Sequence, residues 1–282
     1  MPPRERHVAR TQPMTTMRTI AVLNHKGGVG KTTVTLNLAG ALAEMGYRTL
    51  VVDCDSQGDL SSLLIDSHDV LPYSVADLFA GSGVTTQDVI QPTGFANISV
   101  LTADRRLNVV ERTYGFEEDP ASMALANALS EVQKHFDFAL LDCATKPHLT
   151  GYAALCAAHE AIVPCEPSQF SLRSLATIIE QVQAVRRTFN PGLGVRYFLS
   201  KTPARSKTAD SCRKVLADTF GAAAVFTVSI PNAKTVDTAV NLRKPVVVHS
   251  KKSKVAEGIR EFALEFLGAH YGHQHGSHKV AA

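Results

Sequence analysis

Residues Asn24 to Thr33 read Asn-His-Lys-Gly-Gly-Val-Gly-Lys-Thr-Thr, and this stretch restricts the possible folds most. A short apolar run, Thr19 to Leu23, precedes it. A helical pattern of Leu36, Leu38, Ala39, Leu42 and Met45 follows, so the stretch is predicted to be a strand-to-helix turn. Backbone amides of such a glycine-rich turn and the free N–H groups of the helix start converge on an anion, the helix dipole favours it, and Lys31 adds a full charge. The strict phosphate-loop pattern places glycine six residues before that lysine; His25 stands there instead, and a second lysine, Lys26, stands just ahead of the glycines.

Composition sets the frame for that turn. With 282 residues and 45% hydrophobic content, the chain can bury one large α/β core. No apolar run is long enough to span a bilayer, and the arginine-bearing N-terminus lacks the hydrophobic region of a signal peptide, so the sequence leads to the expectation of a cytoplasmic protein. The cysteines Cys54, Cys143, Cys156, Cys165 and Cys212 are odd in number and lack a Cys-x-x-Cys spacing, which favours buried free thiols over a metal site or disulfides.

Two further apolar strands end in acids. In Thr49-Leu50-Val51-Val52-Asp53-Cys54-Asp55, the two aspartates alternate across one position and point the same way in an extended backbone. Phe138-Ala139-Leu140-Leu141-Asp142 is the second, after a predicted helix over 121–135. Additional strands are expected at 97–101, 160–164, 195–199 and 225–230. Helices are expected at 73–79, 85–90, 171–189 and 255–267, the third with Leu172, Leu175, Ile178, Ile179, Val182 and Val185 on its inner side. The alternation predicts an α/β, doubly wound, mainly parallel sheet with helices on both faces, ligand crevice at the carboxyl ends of the strands.

Lys26-Gly27-Gly28-Val29-Gly30-Lys31-Thr32 resembles the deviant Walker A motif of the ParA/MinD family of P-loop ATPases, whose signature lysine precedes the glycines. Asp53 to Gly58 resembles the family's Asp-x-Asp-Pro-Gln-Gly segment with Ser56 in place of proline, which is expected to loosen the turn. Asp142 matches the acid of a Walker B strand. The following Cys143-Ala144-Thr145-Lys146-Pro147 departs from the family's paired prolines, so this region is expected to answer the γ-phosphate differently. Leu242-Arg243-Lys244-Pro245-Val246-Val247 is similar to a Gly-Lys-Pro-Val-like segment, with Arg243 where glycine is usual.

The resemblance implies ATP and Mg²⁺ as cofactors. Nucleotide contacts would come from Lys26, Gly27, Gly28, Val29, Gly30, Lys31, Thr32 and Thr33, with Pro231 and Asn232 bordering the base. Thr32 would bind the metal, Asp53 and Asp142 would support its shell, and Asp55 would position the attacking water. Lys26, Lys31 and Asp55 are thus the expected catalytic set, with Lys26 reaching the partner's phosphates in an ATP-bound homodimer.

Outside the motifs, residues 1–17 read as a disordered arm, 18–269 as a single ATPase domain and 270–282 as a flexible tail containing His270, His273, His275 and His278. That tail has no apolar face, which argues against membrane targeting. Net charge is +3, yet between Arg186 and Arg260 fifteen basic residues face only Asp210, Asp218, Asp237 and Glu257. A solvated surface and a polyanion-binding face both fit that count. With the family resemblance, the candidates for non-specific double-stranded DNA contact are Arg205, Lys207, Arg213, Lys214, Arg243, Lys244, Lys251 and Lys252. The expected function is partitioning of plasmid or chromosome DNA by a nucleoid-associated ATPase, weak until DNA and a ParB-like or cargo-adaptor partner stimulate it. Positioning of a protein cargo, or a regulatory switch with negligible turnover, are the alternatives.

Overall fold

The computed structural model describes residues 16–65, 71–115, 119–203 and 206–271. Eight strands form one sheet: β1 (Arg18–Val22), β2 (Thr49–Cys54), β3 (Ile90–Pro92), β4 (Ile98–Leu101), β5 (Phe138–Cys143), β6 (Glu160–Cys165), β7 (Gly194–Thr202) and β8 (Val225–Pro231). Their order is β3-β4-β2-β5-β1-β6-β7-β8, and every pairing is parallel except β3 with β4. Every residue of β2, β5 and β6 is buried, which is why these strands read as continuous apolar runs: helices cover both faces.

One face packs beneath the helices Leu149–Ala157, Ala176–Thr188 and Lys207–Phe220, around Leu141, Tyr152, Val163, Val182 and Leu216. The other lies beneath α1 (Lys31–Glu44) and the terminal helix Lys254–Tyr271, around Leu38, Leu42, Leu140, Phe198 and Phe262. Phe198, Phe226 and Phe262 meet with ring centroids 4.2 to 5.8 Å apart. Met17, assigned by sequence to the arm, is buried. The terminal helix includes residues 270 and 271, which the sequence placed in the tail; residues 1–15 of the arm and 272–282 of the tail lie outside the described residues.

Three departures from the expected elements have local causes. The predicted 85–90 helix ends at Val89, and Ile90–Pro92 turns back as the antiparallel edge strand β3; a three-residue edge leaves no period to read. The 171–189 pattern divides into a 3-10 turn, Leu172–Leu175, capped by the Ser171 hydroxyl, and the helix Ala176–Thr188. Leu172 is consequently exposed rather than inward. The helices Leu149–Ala157, Lys207–Phe220 and Lys234–Asn241 had no counterpart in the sequence reading; on the last only Val236 and Ala239 are buried.

The segment after that helix is pressed onto α1. A β-carbon on Gly40 would lie 2.4 Å from Pro245 Cβ, and the Val246 amide donates to Asn37 Oδ1 at 2.8 Å. This close approach fixes one wall of the helix that carries the phosphate loop.

Candidate functional site

The loop leaves β1 through Asn24, whose buried side chain donates to the Pro164 carbonyl (2.8 Å) and accepts from the Lys26 amide (2.9 Å). Gly28 and Gly30 have φ of 77° and 89°, a conformation that a β-carbon opposes, so glycine is required there. Between them Val29 is buried, and its carbonyl accepts the Ser200 hydroxyl at 2.6 Å, tying the loop to β7. Gly30 caps α1, whose first turn holds no acid. The helix start therefore presents unopposed amides and Lys31 to a cavity of 350 Å³.

Opposite the loop, parallel register sets Asp53 beside Asp142 at the strand ends. Asp142 accepts the Thr32 hydroxyl at 2.7 Å, and the Thr35 hydroxyl lies 3.4 Å from its other oxygen. Burial, with the Asp53 charge second, pushes the Asp142 carboxyl up to about 8. Asp53 is fully buried, and burial pushes it up to about 6 against the opposing bonds from the Ser61 amide and hydroxyl, 2.8 and 2.7 Å. Two buried carboxyls that hold their protons more tightly than usual thus stand beside a helix-start hydroxyl and one ammonium, groups of the kind that take a divalent cation only once the carboxyls ionise. Asp55 is partly exposed on the cavity wall, its Oδ1 accepting from the Gln57 amide at 3.0 Å.

Lys31 is buried, and its Nζ donates to Thr145 Oγ1 at 3.2 Å. The departure after Asp142 thus supplies a hydroxyl that receives the loop lysine. Ser56 likewise gains a bond absent from a proline: its hydroxyl lies 3.1 Å from Asn108 Oδ1. The expected loosening of the turn is offset by this anchor.

The cavity is lined by Gly28, Gly30, Lys31, Thr32, Thr33, Asp55, Asp59, Cys143, Thr145, Lys201, Asp237, Val240 and Asn241. Lys26, half-buried, stands outside that lining, and so do Gly27, Val29, Asp53 and Asp142. Pro231 and Asn232 are also outside it; the Asn232 amide donates to the Thr202 carbonyl, while Lys201, Asp237 and Asn241 occupy that side. The sequence reading did not find Lys201, Asp237, Asn241 or Thr145. Lys201 has φ 51° at the end of β7, a local backbone state with no sequence signature. Asp237 and Asn241 belong to the Lys234–Asn241 helix, which the sequence expectations did not include.

The candidate DNA-contacting cations divide between the two faces of the sheet. Lys207, Arg213 and Lys214 belong to the Lys207–Phe220 helix, where Arg213 donates to the Thr227 carbonyl and Lys214 lies 3.7 Å from Asp218. Arg243, Lys244, Lys251 and Lys252 are exposed around the segment that rests on α1. Arg205 lies outside the described residues. All five cysteines are buried free thiols. Among the described residues no helix is long and apolar enough to cross a membrane.

A glycine loop at a helix start, a lysine within it and two acid-ended strands facing it define a P-loop nucleoside triphosphatase. A family model described as an AAA domain matches residues 17–195. The chain is 30% identical to the chromosome-partitioning ATPase Soj of Treponema pallidum over 89% of this chain and 97% of that one. It is 28% identical to the chromosome partitioning protein ParA of Caulobacter vibrioides over 89% and 94%. A solved structure of cobyrinic acid a,c-diamide synthase from Mycobacterium smegmatis, with a bound ATP analogue and magnesium, matches with 27% identity and a TM-score of 0.77, covering 94% of this chain and 100% of that one. The chain belongs to the ParA/MinD family of partitioning and positioning ATPases.

Proposed function

We propose that this ATPase dimerises on ATP, binds double-stranded DNA without sequence preference, and partitions plasmid or chromosome DNA through hydrolysis that is slow until DNA and an adaptor protein stimulate it. Residues 18–269 act as one ATPase domain in a cytoplasmic, nucleoid-associated protein. The carrying observation is that Lys26 sits in the phosphate loop but outside the lining of the cavity that Lys31 serves. This supports a reading in which its ammonium reaches the phosphates of a second subunit, so that nucleotide joins two copies of the chain.

Within each subunit, Lys31 and the loop amides neutralise phosphate charge and Asp55 orients the water. Thr32, Asp53 and Asp142 would hold the Mg²⁺, which when bound neutralises the charge that develops on the leaving phosphate oxygens. Pairing two subunits doubles the basic residues offered to one duplex, which steepens both affinity and its dependence on salt.

The test compares wild type with Lys26→Ala for dimerisation and duplex binding, with ATP, ADP and no nucleotide, across a salt series. ATP-dependent dimerisation and DNA binding in wild type, both lost in Lys26→Ala, are expected. DNA binding that ignores nucleotide, or full dimerisation of the variant, overturns the reading.

A further inference from the structure

In the phosphate loop, the side chain of His25 lies outside the lining of the nucleotide cavity and reaches a helix distant in sequence. His25, at the position where the strict pattern has glycine, has Nδ1 3.3 Å from the Thr145 carbonyl oxygen. Its Nε2 lies 2.9 Å from Gln181 Oε1, on the Ala176–Thr188 helix. Oxygen acceptors at both ring nitrogens suit only an imidazolium, yet burial, with a smaller contribution from the Lys31 charge, pushes the His25 pKa down despite these bonds. The Gln181 amide nitrogen is meanwhile buried without a partner. Turning that amide by half a turn suits a neutral ring and gives the amide nitrogen a partner, leaving the weaker cost of an unpaired carbonyl oxygen in its place. Its NH₂ then donates to Nε2 while the neutral ring donates from Nδ1 to Thr145.

Thr145 is also the residue on which Lys31 rests, through the 3.2 Å bond to Oγ1. A chain of contacts therefore runs from Lys31 through Thr145 and His25 to Gln181, joining three elements distant in sequence. Phosphate oxygens outcompete a neutral hydroxyl for an ammonium group, since charge-assisted bonds are about twice as strong as neutral ones. A phosphate that takes Lys31 from Thr145 removes one of the two hydrogen bonds that Thr145 makes among the described residues. The other is to His25.

We propose that His25 is a positioning residue that links the resting place of Lys31 to the Ala176–Thr188 helix, so that nucleotide at the phosphate loop alters the packing of that helix through Thr145 and Gln181. Gln181 is buried on the same side as Ile178, Val182 and Val185, so a changed hydrogen bond there acts on the seam between helix and sheet. The helix also helps wall a cavity of 300 Å³ with Tyr197 and Phe220, and the nucleotide state reaches that cavity by the same route.

Hydrogen exchange on the full chain, without nucleotide, with Mg-ADP and with a non-hydrolysable Mg-ATP analogue, tests this. Titration with a fluorescent ATP analogue runs in parallel. In wild type, the ATP analogue is expected to change amide exchange across 176–188 by about fivefold or more. In His25→Ala and in Gln181→Ala, nucleotide affinity stays within about threefold of wild type while the helix response falls below about twofold. The double variant shows no further loss, and His25→Gln, which keeps an N–H donor, restores part of the response.

Exchange in β1 and β5 reports whether each variant is folded, and Gln181→Ala decides the matter if His25→Ala is not. A helix response unchanged in the folded variants overturns the proposal, as does a nucleotide-bound wild type with no response. Complete loss of nucleotide binding in His25→Ala also overturns it, since His25 would then belong to the binding site itself.

Discussion

Arg243 holds a backbone conformation, φ 55°, that its own β-carbon opposes. It follows the Lys234–Asn241 helix, and its amide closes a turn onto the Val240 carbonyl at 2.8 Å. Glycine, usual at this position in the family segment that the sequence resembles, would adopt the same turn without that clash. Arg243→Gly is expected to raise unfolding free energy by about 0.5–1 kcal/mol, the relief of strain exceeding glycine's entropy cost. A urea midpoint that rises at unchanged slope is the check. Because the arginine is kept at that cost, the same variant should lose DNA affinity if Arg243 contacts phosphate. Lys201, φ 51° on the nucleotide cavity, shows the same pairing of a disfavoured backbone with a cation.

Among the elements, the helix Leu107–Thr113 holds both loops that follow the acid-ended strands. Asn108 anchors Ser56 in the loop after β2. Glu111 accepts from the Leu149 and Thr150 amides, 2.7 and 3.0 Å, and from the Thr150 hydroxyl, 2.6 Å, at the start of the helix that follows the β5 loop. Glu111→Ala leaves these buried donors unpaired and is expected to cost about 2 kcal/mol of stability, more than Asn108→Ala. Equilibrium denaturation measures it, and equal costs for the two variants would count against the clamp. This device could not be read from the sequence, because Glu111 and Thr150 are distant along the chain and neither belongs to a motif. What could be read was local and periodic. The phosphate loop is one contiguous turn, and β2, β5 and β6 are unbroken apolar runs because they are buried on both faces. Lys201, Asp237 and Asn241 come to the cavity through tertiary packing alone, while β3 and the Lys234–Asn241 helix carry too few buried residues to set a period.

At the scale of the whole molecule, the basic half of the chain does not form one flat face. Lys207 and Lys214 ride on the helix covering one side of the sheet, and Lys251 and Lys252 lie in the turn leading to the terminal helix on the other. Both sides meet at the β8 edge, where Arg213 takes the Thr227 carbonyl and Glu265 accepts from the Thr227 and Val228 amides at 2.7 and 2.9 Å. Helix layers stand about 10 Å from a sheet on each side, so cations flanking this edge are separated by roughly the width over which a duplex presents its phosphates. The edge, rather than either face, is the expected DNA seat of the proposed ATP dimer. Lys207→Ala with Lys214→Ala, and separately Lys251→Ala with Lys252→Ala, should each lower the slope of log affinity against log salt, by about 1.8 if both lysines contact phosphate. Lys214 is shared with Asp218, so the first pair is expected to give the smaller change. A slope altered by only one pair would confine the duplex to one face of the sheet, and a slope altered by neither would move it off this edge.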